Sequence, residues 1–127
     1  MSDWIKLDVG GKLFKTTRET LTSEPDSVLA KMFEQNPRLQ PPPLSEDGCY
    51  QIDDCPRLFA VVLNWLRYRS LVLGKEVEAK DVILVAQHYS LPDLENELLQ
   101  KIDDEDDEKT QFVLLVTTAL RMLAYLL

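Results

Sequence analysis

Any chemistry in this chain would have to come from very few residues. The stretch LDVGGKLFKTT, residues 7–17, places a glycine pair before a lysine. A phosphate-cradling loop needs Gly-Lys followed by Ser or Thr, so that an ammonium reaches the phosphates and a hydroxyl holds magnesium. Leu13 follows Gly11-Lys12 here and can do neither. The dinucleotide fingerprint asks for three spaced glycines opening a helix, and the next glycine is Gly48. His88 is the single histidine, so a nucleophile–histidine pair has one place to form; it sits within a helical pattern beside Tyr89. Cys49 and Cys55 lie six apart, without the close cysteine pair of most structural zinc sites. Asp53-Asp54 precedes Pro56, where acids favour the positive end of a helix. The run Asp103 to Glu108 lacks the glycine and spacing of a calcium loop. The expectation is therefore no catalytic constellation, no metal, no cofactor and no enzyme activity.

The glycine pair makes better sense as a turn. Two-residue hairpin loops need positive φ, which Gly-Gly adopts without a steric penalty. A Gly10-Gly11 loop pairs Val9 with Lys12, Leu7 with Phe14 and Ile5 with Thr16. Alternation then puts Ile5, Leu7, Val9 and Phe14 on one face and Lys6, Asp8, Leu13 and Lys15 on the other.

The remaining elements follow from periodicity. Pro25 suits a first helical turn, and Val28, Leu29, Met32 and Phe33 recur at helical spacing. Residues 36 to 48 hold four prolines and read as a loop. CYQID is a short strand, and Pro56 opens a helix whose stripe includes Leu58, Phe59, Val62, Leu63, Trp65 and Leu66. LVL at 71 to 73 reads as a further strand closed by Gly74. Residues 79 to 89 and 90 to 102 read as helices, the second with Leu94, Leu98 and Leu99 facing inward. Strands first and helices after define an α+β fold. The chain divides into residues 1–102 as one domain, 103–109 as an acidic linker and 110–127 as an apolar C-terminal helix.

Length and charge narrow the function. A chain of 127 residues holds one domain. Its net charge of −8 argues against binding nucleic acid, which clustered Lys and Arg drive. Two cysteines without a signal-peptide pattern fit a reducing, cytoplasmic compartment. The apolar tail is shorter than the ~20 residues a membrane span wants. Arg121 at mid-membrane would cost about 2.5–3.5 kcal/mol. A helix packed on protein is expected instead.

With its elements in order, the chain resembles the BTB/POZ domain in its potassium-channel tetramerisation (KCTD) branch. Ile5-Lys6-Leu7-Asp8-Val9-Gly10-Gly11 with Phe14 and Thr16 is similar to the family's opening hairpin. Thr20-Leu21, Pro25-Asp26-Ser27, Leu29 and Met32-Phe33 match its next motif. Asp47-Gly48-Cys49-Tyr50-Gln51-Ile52-Asp53 matches a third, and Pro56, Phe59, Val62, Leu63, Trp65, Leu66 and Arg67 match the helix that follows. The chain departs from the family at Asp54-Cys55, where Arg-Asp is usual, so Cys55 takes the N-cap position. The zinc-site signature of some channel domains is missing.

The resemblance implies a BTB/POZ fold: a small mixed sheet with an N-terminal β-hairpin, packed with a cluster of helices. It implies a homo-oligomer, tetramer or pentamer, with Lys6, Asp8, Lys15, Arg18 and Glu19 facing neighbours or simply solvating a surface. It implies cullin-3 as a candidate partner and a role as substrate adaptor of a ubiquitin ligase. The face so implied contains Phe33, Glu34, Leu39, Tyr89 and Leu91, with Phe33 either an exposed anchor or part of the core. The alternative is an assembly domain of a potassium channel or another membrane-associated protein.

Overall fold

The computed structural model describes residues 3–126. The chain opens with strand β1 (Trp4–Val9), turns at Gly10-Gly11, and returns as β2 (Lys12–Thr17). The register is as expected, with Val9 opposite Lys12, Leu7 opposite Phe14 and Ile5 opposite Thr16. A third strand, β3 (Cys49–Ile52), pairs with β1 in parallel, giving the mixed order β2-β1-β3. Among the described residues five helices complete the fold: α1 (Arg18–Leu21), α2 (Val28–Phe33), α3 (Pro56–Tyr68), α4 (Ala79–His88) and α5 (Pro92–Leu126).

The glycine pair is needed for two separate reasons. Gly10 and Gly11 both have positive φ, at 55° and 95°. Gly10 also lies where a Cβ would come within 2.4 Å of the Asp54 carbonyl oxygen. Its own N–H donates to the Ile52 carbonyl at 3.0 Å. The turn is therefore stitched to the exit of β3 as well as closing the hairpin.

The core lies between the sheet and helices α3, α4 and α5. Ile5, Leu7 and Val9 from β1 share one buried cluster with Phe59, Val62, Leu63 and Leu66 from α3, Val82 and Ala86 from α4, and Leu94 and Leu98 from α5, joined by Leu21 of α1 and Leu29 and Phe33 of α2. Phe14 stands edge-on to Phe59, and Phe59 edge-on to Tyr89, with centroids 5.5 and 6.0 Å apart. Edge-to-face packing at this range is the favoured aromatic geometry.

Five features depart from the sequence expectation. Helix α2 begins at Val28, with Ser27 as N-cap accepting from the Ala30 N–H, so Pro25 stands before the helix. Residues 71–73 form no strand: they cross between α3 and α4 without a ladder partner, and an isolated extended segment is not a sheet. Leu99 is 46% exposed, lying off the stripe that Leu94 and Leu98 make. The acidic run 103–108 continues α5 as helix rather than interrupting it. The short helix α1, capped by Thr17, was not anticipated.

Helix α3 ends on Arg69 in the left-handed region, φ 53°, where glycine is common. For a non-glycine residue this conformation costs about 1–2 kcal/mol. Compensation is visible: the Arg69 guanidinium stacks on the Trp65 ring at 4.4 Å and pairs with Glu24.

Gly10→Ala should lower the urea unfolding midpoint by an amount equal to roughly 1–3 kcal/mol, since it combines a strained φ with a backbone clash. Gly11→Ala meets no neighbour within 4 Å and should lose less. Equal losses at the two positions would overturn this account.

Candidate functional site

Two surfaces concentrate the exposed functional groups. The first is the outer face of the hairpin. Alternation sends Trp4, Lys6, Leu13 and Lys15 outward, with Trp4 and Leu13 both about two-thirds exposed at 65% and 67%. Lys6 and Lys15 stand directly opposite each other, a pairing that is unfavourable across strands when both are charged. The Lys15 ammonium lies 5.0 Å from the Trp4 ring centroid. Asp47 borders the same face beside Lys6. A hydrogen bond from Ser45 first, and the Lys6 charge last, hold the Asp47 carboxyl below its ordinary range. Asp8 also points outward but is half-buried, its carboxylate accepting from the Gly11 N–H at 2.9 Å.

Arg18 and Glu19 follow at the start of α1. Arg18 is held within the chain: its guanidinium donates to Asp3 at 3.0 Å and to the Phe33 carbonyl. Glu19 is exposed. Of the five residues expected to face a neighbour, Lys6, Lys15 and Glu19 are thus open, while Asp8 and Arg18 already have partners.

The second surface is a groove of about 540 Å³ between the start of α3 and the side of α4. Asp53, Asp54, Glu76 and Asp81 line it with Arg57 as the single Lys or Arg, and Leu58, Val85 and His88 complete the wall. Leu84 borders it and is 66% exposed. Sequence reasoning did not assemble this surface. Its signal was present: Asp81, Leu84, Val85 and His88 share one helical face by three-and-four spacing.

The groove's floor is built around Asp54. One carboxylate oxygen accepts from the Cys55 N–H at 2.8 Å, and the other accepts from the Tyr89 hydroxyl at 2.9 Å. Burial first, and then the Asp54 charge, push the Tyr89 phenol far above its ordinary pKa, so it remains a donor. Cys55 occupies the N-cap of α3 without a side-chain cap bond. The N–H groups of Leu58 and then Arg57 nonetheless hold its thiol below the usual value. Among the described residues, no group of three or more His, Cys, Asp or Glu side chains is placed to hold a metal ion.

Of the five residues expected to face a second partner, two are available at the surface. Phe33 is 2% exposed and stands edge-on to Tyr50 at 5.2 Å; Tyr89 and Leu91 are equally buried. These three side chains are core, not exposed anchors. The reason is the chain's path: the Val28 N–H donates to the Tyr89 carbonyl at 2.9 Å, drawing α2 against the end of α4. Glu34 and Leu39 remain at the surface. Glu34 accepts from the Arg38 backbone and guanidinium, and Arg38 also donates to the Pro25 carbonyl at 2.6 Å. The Leu39 N–H donates to the Lys31 carbonyl at 3.0 Å, and the loop's far end bridges Leu44 to Tyr50. The proline-rich loop is pinned at both ends, and Leu39 and Leu44 project from it at 42% and 60% exposure.

A small mixed sheet opened by a Gly-Gly hairpin and backed by helices is the architecture of a BTB/POZ domain. The chain matches that family over residues 5–101 and belongs to it. Among its relatives are human KCTD5, 36% identical over 111 residues, and human KCTD17, 36% identical over 108. Mouse KCTD9 is 35% identical over 94 residues. These alignments cover 87%, 85% and 73% of this chain but 47%, 34% and 27% of the relatives, so the chain spans less than half the length of each.

Replacing Cys55 by Ser supplies the missing cap acceptor and should raise stability by about 1 kcal/mol at neutral pH. The wild-type thiol has a depressed folded pKa, so its own contribution is present above the ordinary thiol pKa of about 8.5 and lost as pH falls through the folded value. The advantage of Cys55→Ser should therefore shrink as pH rises. Urea titrations at several pH values check both points; an advantage that grows with pH would contradict them.

Proposed function

We propose that this chain is a cytosolic homo-oligomerisation module that docks the outer hairpin face of one copy into the acidic groove of the next. The observation that carries this reading is charge segregation in a chain of net charge −8. Lys6 and Lys15 stand with exposed Trp4 and Leu13 on one surface, and Asp53, Glu76 and Asp81 surround exposed Leu84 on another. Docking would relieve the Lys6–Lys15 opposition and bury apolar side chains of both surfaces. Opposite patches favour fast encounter and fix the register. Because the two surfaces differ, the contact is heterologous, and a closing rotation makes a ring. A ring of four or five fits the tetramers and pentamers expected from the resemblance. The function is interaction and needs neither catalysis nor cofactor.

Light scattering at micromolar concentration should show four or more chains per particle, unchanged by a chelator. Lys6→Glu with Lys15→Glu should shift the mass toward monomer. Glu76→Lys with Asp81→Lys should do the same, and combining all four substitutions should restore the larger particle. A wild-type monomer insensitive to concentration would refute the reading.

The finer reading is a substrate adaptor for a cullin-3 ubiquitin ligase, with the pinned proline-rich loop as the docking element. Leu39 and Leu44 on a loop held by Arg38 and by the Tyr50 bridge are pre-organised, which reduces the ordering that binding requires. Calorimetry with the N-terminal domain of cullin-3 should give submicromolar binding, weakened tenfold or more by Leu39→Ala with Leu44→Ala while the particle mass is kept. Absence of binding by the wild type would remove the ligase role and leave the oligomerisation module in place.

A further inference from the structure

Helix α5 runs for 35 residues, from Pro92 to Leu126, a length of about 52 Å. Its first part belongs to the domain: Leu94 and Leu98 are fully buried, and Ile102 packs at the core's edge. Beyond that point every described residue is exposed. From Phe112 onward the exposed residues are mainly large and apolar, including Leu115 at 70%, Met122 at 65% and Leu126 at 84%. Monomers rarely expose contiguous apolar patches beyond a few hundred Å². An apolar stripe of this length marks an interaction surface.

The spacing bears on what kind of partner fits it. Phe112, Leu115, Ala119, Met122 and Leu126 follow one another at three, four, three and four residues, the a/d seam of a left-handed bundle. Val116 and Leu123 lie next to that seam and widen it. A two-stranded coil needs only the narrow seam, whereas a broader stripe suits a bundle of more helices. The same frame extended upstream reaches Glu108, Glu105 and Lys101 before arriving at buried Leu98 and Leu94. Charged residues at three successive seam positions thus separate the stripe that packs on the chain's own domain from the stripe that packs elsewhere.

We propose that residues 112–126 of α5 associate with the same segment of other copies of this chain in a parallel helical bundle. The inference rests on the oligomerisation reading. Cyclic symmetry sends every copy of α5 out on the same side of the ring, so the helices emerge parallel and in register. Tethering also holds the segments at an effective concentration on the order of millimolar. Lipid is the poorer cover, because Arg121 sits near the middle of the segment and no helix among the described residues is long and apolar enough to cross a membrane. Thr117, Thr118 and Arg121 fall outside the seam; both threonine hydroxyls are satisfied by the carbonyls of Val113 and Leu114, at 2.8 and 2.9 Å.

The test is position-selective disulfide formation in the full chain. Under mild oxidation, Met122→Cys at a seam position should give covalent dimers at least fivefold more abundant than Thr117→Cys on the outer face. Equal yields at the two positions would overturn the bundle, as would flotation of the wild type with neutral phosphatidylcholine vesicles. Light scattering of a separate variant, Leu115→Glu with Met122→Glu, reads the domain's own assembly. Four or more chains in that variant, with no selective disulfide in the cysteine pair, would discard the bundle and keep the ring. A selective disulfide with that variant monomeric would keep the bundle and discard the ring.

Discussion

The fold depends on how the end of α4 is fastened, and Tyr89 is the fastening. Its hydroxyl donates to Asp54 at the entrance to α3, its ring stands edge-on to Phe59 within α3, and its carbonyl accepts from Val28 at the start of α2. One residue thus positions three helices. The hydrogen bond to a carboxylate in a largely buried setting is of the stronger, charge-assisted kind. Removing the hydroxyl would leave half-buried Asp54 with one protein donor fewer. Asp54 in turn meets the hairpin, since its carbonyl lies where a Gly10 side chain would be. Turn, sheet exit and three helix ends therefore share one small region, and the acidic groove is its outer wall.

This arrangement gives Asp54 a meaning that its sequence neighbourhood does not disclose. In sequence, an Asp at that position is only a reversed charge where the family usually has Arg. In the fold it is an internal strut, satisfied on both oxygens, so the groove's available charge comes from Asp53, Glu76 and Asp81 instead. Cys55 beside it leaves the α3 cap without a side-chain acceptor. Pro56, which has no N–H to satisfy and a φ already suited to the first turn, offsets part of that deficit.

Local pattern made some elements legible and left others hidden for physical reasons. The hairpin was readable because period-two alternation and a Gly-Gly turn agree on one register. Helix α3 was readable from Pro56 and a wide three-and-four stripe. By contrast, the stripe Val28, Leu29, Met32, Phe33 names a helix but not which neighbour covers it, so the burial of Phe33 depended on the unseen Val28–Tyr89 contact. Tyr89 and Leu91 were hidden for the same reason, lying in the turn between α4 and α5. LVL at 71–73 has strand composition but no adjacent edge to pair with, and β-propensity reports fit to a sheet rather than a backbone preference. The groove needed β3, α3 and α4 brought together, which no window of sequence displays. Of the residues expected on the outer hairpin face and just after it, Lys6, Lys15 and Glu19 lie exposed, whereas Arg18 turns inward to the Phe33 carbonyl.

The acidic run is the point at which composition and structure pull in different directions. Six successive acids read as a break, because like charges four apart, as in Asp103 with Asp107, each disfavour a helix by a few tenths of a kcal/mol. The helix continues nonetheless, with Gln100 donating to Asp104 at 3.1 Å. The energetic penalty is small because these side chains are exposed and water and salt screen them. Continuity has a mechanical consequence that a flexible linker would lack. A rigid rod transmits the orientation of Leu94 and Leu98 on the domain to Phe112 and Leu115 about 25 Å away, since each residue advances the helix by a fixed 1.5 Å and a fixed rotation. The face that α5 presents beyond the domain is therefore set by how α5 packs within it.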